Sequence, residues 1–361
     1  MKLSNIKAVV LQFIIGGFIG ITFVLLFIFA ENQGVSIFST FVFLVVACIV
    51  QIAIHELGHL IGGLLSGYQF LSYRLFSFVV VLEDKKLRVT KQKVPGTLGQ
   101  CLMIPSSKEK DFSFKLYISG GVLMNILMSL LAFIWFPVYP VYVLEFALVG
   151  FLFALMNGVP NSFNDGSTYK LASSSTKYKH LLYNQLDINA RLHKGETFVD
   201  LPNHYFGVET NSNSETNYFD DFQSFLELGY YLEKRDFDKL KIALEKQWLR
   251  LDQLILPYQL ELKKEMLFFL LTNSEDDSRI EELVADKQLT RYLKNPLISN
   301  FRVRAAKASF YDQNREESVV LINKGIALEN KTSSRGEYLI ERDLLLWLKE
   351  STKETLTLNN D

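Results

Sequence analysis

Apolar residues fall in long unbroken runs through the first part of the chain and in a helical rhythm through the rest. Ala8 to Ala30 contains no charged side chain, and Val35 to about Leu65 carries its only charge at Glu56. Two further runs follow, from about Phe114 to Phe136 and from about Val141 to Met156. A helix of about 20 residues, rising about 1.5 Å per residue, crosses a hydrocarbon core of about 30 Å. The pattern therefore predicts four membrane-spanning helices. The second run is longer than a bilayer needs, so its helix tilts or emerges into the interface, and Ser66-Gly67 stops it. Pro137 and Pro140 mark the turn between the third and fourth spans.

Between the second and third runs the rhythm changes. Gln69–Leu82 is rich in aromatic and β-branched residues, Glu83-Asp84-Lys85-Lys86 interrupts, and Leu87–Val94 resumes, which predicts a β-hairpin or small sheet at the membrane surface. Such a strand edge suits pairing with an unwound peptide. Pro95-Gly96 and Leu98-Gly99 then break the strand pattern. After the fourth run, Gly166 to about Leu192 reads as one helix of mixed polarity, and Glu196–Asp221 as a polar linker. From Phe222 to about Glu350 the periodicity predicts short helix pairs. Phe225, Leu228, Gly229, Leu232, Phe237, Leu240 and Ala243 loosely resemble a tetratricopeptide unit, and Arg302 through Ala305, Ala306, Phe310 and Tyr311 to Ile326 a second.

The fold class expected is thus membrane α-helical, with a small sheet in a loop and a soluble all-α, helical-repeat-like domain behind it. The boundaries are an N-terminal transmembrane helix and external link at 1–34, a core at 35–194, a linker at 195–221 and a helical domain at 222–361.

Charge orients the spans and removes some functions. Lys2 and Lys7 flank the first run, the link Glu31–Gly34 has no positive residue, and the loop after the second run holds eight, including Lys85, Lys86, Arg88 and Lys91. The positive-inside rule puts that loop and both termini on the cytosolic side of a cell membrane. Lys2 and Lys7 would also suit a secretory signal, but the apolar part of a signal is about 7–15 residues and no small-x-small cleavage site follows cleanly. A net charge of -1 without a basic stripe gives no footprint for nucleic acid. Two cysteines, Cys48 in an apolar run and Cys101 in the loop, make neither a disulfide framework nor a metal-type CxxC.

His55-Glu56-Leu57-Gly58-His59 places two imidazoles four residues apart, on one helix face, where both can reach a single metal ion. Glu56 between them can address a metal-activated water. Three ionisable groups in an apolar helix are costly and usually functional. A catalytic Zn2+ needs a third protein ligand and an open position. Asp165, in Asn157-Gly158-Val159-Pro160-Asn161-Ser162-Phe163-Asn164-Asp165-Gly166, falls just beyond the fourth run, on the predicted side of His55 and His59. Alone it would read as a turn residue or helix cap. Asn161, Ser162 and Asn164 are polar enough to line a water route. Gln51 lies one turn before His55, and His180, His193 and His204 show no ligand spacing.

H-E-x-x-H in a hydrophobic helix, paired with N-x-x-P-x-x-x-x-D-G in a later one, resembles the site-2 protease family of intramembrane metalloproteases. The likeness covers roughly residues 35–170 and both motifs match position by position. It implies His55, His59 and Asp165 as zinc ligands, Glu56 as catalytic base, and a membrane-protein or peptide-precursor substrate. Many members carry G-P-x-x-N in the intervening helix. Here Gly121-Val122-Leu123-Met124-Asn125 keeps Gly and Asn but not Pro. Asn125 and Asn157 become candidates for substrate or oxyanion contact. The loop is too short for a PDZ domain, so the bacterial branch without one is the nearer comparison. Two other readings stand beside the enzyme: a membrane-anchored adaptor whose helical domain binds a protein or peptide, and, more weakly, a transporter, which the lack of internal repeats opposes.

Overall fold

The computed structural model describes residues 3–83, 86–91, 97–105, 109–161, 163–207, 217–274, 276–332 and 334–358. Contacts divide the chain into two compact units, Met1–Gly62 with Lys115–Ser167, and Gly63–Phe114 with Thr168–Asp361. The loop sheet thus groups with the C-terminal helices rather than with the apolar ones, unlike the expected 35–194 block.

The first unit holds α1 (Leu3–Asn32), most of α2 (Ile37–Leu65), α3 (Lys115–Ala132), α4 (Pro140–Gly158) and the start of α5 (Asp165–Ser174). Among the described residues three stretches, Ile37–Leu65, Glu109–Trp135 and Pro140–Gly158, are long and apolar enough to cross a membrane. The first expected span falls on α1, which is helical throughout. The side chains of residues 3–15 and 18–19 lie outside the described ones, and the apolar part described is Gly20–Asn32. Large apolar residues such as Phe38, Phe41, Val45, Leu123 and Leu155 point outward, while Ala47, Gln51, Asn125, Ser129 and Ala147 are buried. That inversion of a water-soluble bundle is compatible with a lipid surround.

Small residues let the helix backbones close on one another. A Cβ built on Gly120 would lie 2.3 Å from the Gly58 carbonyl oxygen, and one on Gly62 would lie 2.4 Å from that of Leu116. α2 therefore meets α3 with almost no side chain between them. Pro140 opens α4 at a position where its missing N–H costs nothing.

In the second unit β1 (Gln69–Leu75), β2 (Phe78–Glu83), β3 (Lys86–Lys91) and β4 (Gly99–Ile104) form one antiparallel sheet in the order β3-β2-β1-β4. The stretch expected as one strand is itself a hairpin. Phe76 adopts φ +53° in a two-residue turn that pairs Leu75 with Phe78. Arg74, one of the eight positive residues of this loop, is buried and donates to the carbonyl oxygens of Phe76 (3.0 Å), Thr97 (3.2 Å) and Gly99 (3.1 Å), which ties the bend together. Cys101, expected in a loop, is buried in β4. Pro95-Gly96 lies outside the described residues. The β3 edge, expected to be open, is met by the turn at Glu329–Lys331: Thr90 Oγ1 donates to Lys331 O (2.9 Å) and Arg88 to Thr332 O (3.2 Å).

The helix expected over 166–192 is two. α5 ends at Ser174, and Ser175 caps α6 (Thr176–Lys194) by accepting from Tyr178 N–H. The expected linker is shorter than it read. Residues 208–216 lie outside the described ones, and α7 (Tyr218–Lys234) starts inside the polar stretch through a capping box between Asn217 and Asp220. Then come α8 (Phe237–Trp248), α9 (Leu256–Asn273), α10 (Arg279–Ala285), α11 (Lys287–Leu293), α12 (Ile298–Ala306), α13 (Arg315–Ile326) and α14 (Arg335–Leu358). Both tetratricopeptide-like stretches are helix pairs, α7 with α8 and α12 with α13.

Their core centres on α9, whose Leu262, Met266, Leu267, Phe268 and Leu270 are almost fully buried. Arg302 on α12 is fully buried. It bonds Glu265 of α9 (2.9 Å) and Glu341 of α14 (2.7 Å) and stacks on Phe268, 4.2 Å from the ring centroid. One planar, five-donor group thus ties three helices.

The α2–α3 contact gives a direct test of the first unit. Gly120→Ala must displace backbone, so unfolding of the intact protein in detergent should show a loss of about 1–3 kcal/mol. Unchanged stability would mean that the helices have room there.

Candidate metal centre

His55 and His59 occupy successive turns of α2, buried, with rings nearly perpendicular at 84°. Asp165 is the first residue of α5, beyond the end of α4. Its Oδ2 lies 3.0 Å from His55 Nε2 and 3.3 Å from His59 Nε2, and the two Nε2 atoms are 3.2 Å apart. The chain positions that the motifs paired are therefore brought together, with three ligand atoms in a nearly equilateral triangle.

The far side of each ring fixes what the near side offers. His59 Nδ1 sits 2.8 Å from the Tyr117 carbonyl oxygen, which can only accept, so Nδ1 carries the hydrogen. His55 Nδ1 sits 2.7 Å from Asn125 Oδ1. Asn125 Nδ2 donates to the Gln51 backbone oxygen (2.9 Å) and to Gln51 Oε1 (2.7 Å), and Gln51 Nε2 donates to Phe146 O of α4 (3.2 Å). That ordering fixes the Asn125 amide with its oxygen toward His55. In their neutral forms both imidazoles would thus present Nε2 lone pairs to the triangle. Gly121 permits the approach: a Cβ there would lie 2.5 Å from the His55 ring.

Asp165 is delivered by its neighbours. Asn164 Nδ2 donates to Met156 O (2.8 Å) and Val159 O (2.8 Å), and its Oδ1 accepts from Ser167 N–H (2.9 Å), lacing the end of α4 to the first turn of α5. Gly166 leaves no space for a side chain, since a Cβ would lie 2.2 Å from Gly158 O.

Asp165 Oδ2 is buried, and among the described residues no hydrogen-bond donor reaches it. In tetrahedral coordination with bonds of about 2.0–2.1 Å, ligand atoms stand about 3.3–3.4 Å apart, close to the spacings here. Two imidazole nitrogens and one carboxylate oxygen are a donor set suited to a divalent metal ion, and these residues could hold one. Glu56, buried beside them on α2, is not part of the triangle.

Other expected site residues land elsewhere. Asn125 is fully buried, with its Oδ1 beside His55 Nδ1 and its Nδ2 donating to Gln51. Asn157 Nδ2 donates to Phe153 O of its own helix (3.0 Å). Asn164 braces the end of α4 against α5, and Ser162 lies outside the described residues. Gln51, one turn before His55, bonds the Phe146 carbonyl of α4 and also orders Asn125. His180 meets Glu109 and Asn184, His193 the Asn189 carbonyl, and His204 the Tyr205 ring. The Tyr117 carbonyl escaped the reading because a backbone acceptor leaves no signal in residue type. Glu145, fully buried in α4 with no hydrogen-bond partner for either oxygen, escaped it too. A charge within an apolar run was the signal that would have found it.

No protein-family model, curated protein or solved structure matches this chain. The likeness to site-2 proteases therefore stands on the two motifs alone.

The Asn125 bond supplies a test. Loss of an outer hydrogen bond to a metal-binding histidine typically costs about 10–100-fold in affinity. Asn125→Ala should weaken metal binding by about that factor in a competitive chelator titration, while Asn157→Ala leaves it unchanged. Equal effects would remove the distinction drawn here.

Proposed function

We propose that the protein is an intramembrane zinc metalloprotease of the site-2 type, hydrolysing peptide bonds in or near transmembrane segments of membrane proteins or peptide precursors. In this reading α1 is a fourth span, and both termini and the sheet lie on the cytosolic side. The observation that carries it is the triangle of His55 Nε2, His59 Nε2 and Asp165 Oδ2, with both histidines in a helix long and apolar enough to cross a membrane and Asp165 just beyond the end of another.

His55, His59 and Asp165 would hold the Zn2+. When bound, the ion supplies Lewis acidity to water and to a carbonyl group. Asn125 and Tyr117 keep the two imidazoles in the ligating tautomer and orientation throughout turnover. Glu56 acts as general base and then general acid, taking a proton from water on its carboxylate oxygen and returning it to the departing amine nitrogen. An adjacent carboxylate on the same rigid helix needs no rearrangement between those two roles. A transmembrane substrate arrives as a helix with its amides bonded internally, so a segment must unwind before its carbonyl is open to attack.

The runner-up, a membrane-anchored adaptor, has no need for Glu56. Glu56→Gln should retain metal yet lose about 10²–10⁴-fold in cleavage. This is measured on purified protein and by comparing membrane proteomes of cells that carry either form. Undiminished proteolysis with Glu56→Gln, or proteolysis that survives complete metal removal, would contradict the enzyme reading.

A further inference from the structure

The second unit contains a cavity of about 500 Å³ among α6, α7, α9, α12 and α14, within the range of about 300–1,000 Å³ usual for ligand sites. Four lining residues, Lys91, Pro296, Lys331 and Glu337, are exposed, so it opens to solvent. Its walls are of two kinds. One is apolar, with Phe198, Phe222, Phe225, Leu226 and Ile340. The other is acidic, with Glu261, Glu265, Glu337 and Glu341.

Most of that acid is answered from within. Glu261 bonds Lys264 and Tyr292, Glu265 meets Lys264 (3.3 Å) and Arg302 (2.9 Å), and Glu341 meets Arg302 (2.7 Å). Four carboxylates thus face two buried cations. Glu337 is the remainder: among the described residues no hydrogen bond or ion pair reaches its carboxylate. The side chain retains accessible surface and lines the cavity. Lys91 and Lys331 are the cations at the solvent-exposed side, and Lys91 sits over the Phe78 ring at 5.1 Å.

A third feature bears on the shape of the ligand. Gln185 and Asn189 of α6 and Asn295 beside α12 also line the space, half-buried, and no partner among the described residues engages their side-chain amides. Each such amide offers a donor and an acceptor together, which is what an extended peptide backbone requires and a simple amine does not.

We infer that this cavity binds an extended peptide segment carrying a basic residue between apolar ones, the cation pairing with Glu337 and the backbone with Gln185, Asn189 and Asn295. The apolar wall takes the flanking side chains. The site is built entirely from the second unit and does not depend on the metal-centre reading.

The test uses the intact protein in detergent and fluorescence anisotropy of a labelled heptapeptide with a central arginine flanked by leucine and isoleucine. Its arginine-to-glutamine counterpart serves as comparison. Saturable binding of the first should weaken about tenfold or more for the second peptide and for Glu337→Gln protein. Because Glu337 holds no internal ion pair, thermal melting should confirm that this variant folds. Asn295→Trp, which fills the cavity from a loop, should abolish binding. Affinity should be the same with chelator present and in His55→Ala, so failure of the metalloprotease reading leaves this result untouched. Equal affinity for both peptides, or binding unaffected by both substitutions, overturns the inference. Spermidine competing as strongly as the peptide overturns the peptide assignment.

Discussion

Three acceptor atoms facing one another across about 3 Å cannot rest together without a positive charge between them. His59 Nδ1 is committed to a backbone carbonyl and His55 Nδ1 to an amide oxygen that Gln51 holds in place. Neutral imidazoles so held turn lone pairs toward the Asp165 carboxylate. Much of the first unit serves this convergence. Gly58 and Gly120 bring α2 against α3, Gly121 clears the His55 ring, and Asn164 with Gly166 folds the chain back at the end of α4 to present Asp165.

How much the sequence disclosed depends on the physics of each signal. The apolar runs were legible because helix length and bilayer thickness are the same constraint. That His55, His59 and Asp165 converge was legible because holding a metal ion would need particular side chains, two of them at a fixed helical spacing. Asn125 was noticed by position while its bond to His55 was not foreseen, since residue type announces hydrogen bonding but not with which partner. The sheet was half legible, because alternation marked strands while the turn at Phe76 depends on Arg74 gathering carbonyls from a distant loop. In the second unit, polar composition hid the capping box at Asn217 and read as linker.

The two units manage polar burial differently. In the second, Arg302 and Lys264 are enclosed but met by carboxylates, an arrangement that fixes how α9, α12 and α14 meet more than it adds stability. In the first, the buried polar groups form an ordered line from Gln51 through Asn125 to His55 and end at a carboxylate oxygen without a donor. A structural network closes on itself. One that ends on an unsatisfied anionic atom among lone pairs points to a ligand.

The most direct test of the central claim is zinc-edge X-ray absorption on the purified, zinc-loaded protein, alongside metal stoichiometry. The account requires close to one ion per chain, a first shell of nitrogen and oxygen at about 2.0–2.1 Å with the outer-shell signature of two imidazoles, and loss of that shell in Asp165→Ala. Substoichiometric metal, sulfur in the first shell, or a spectrum indifferent to Asp165 would contradict it.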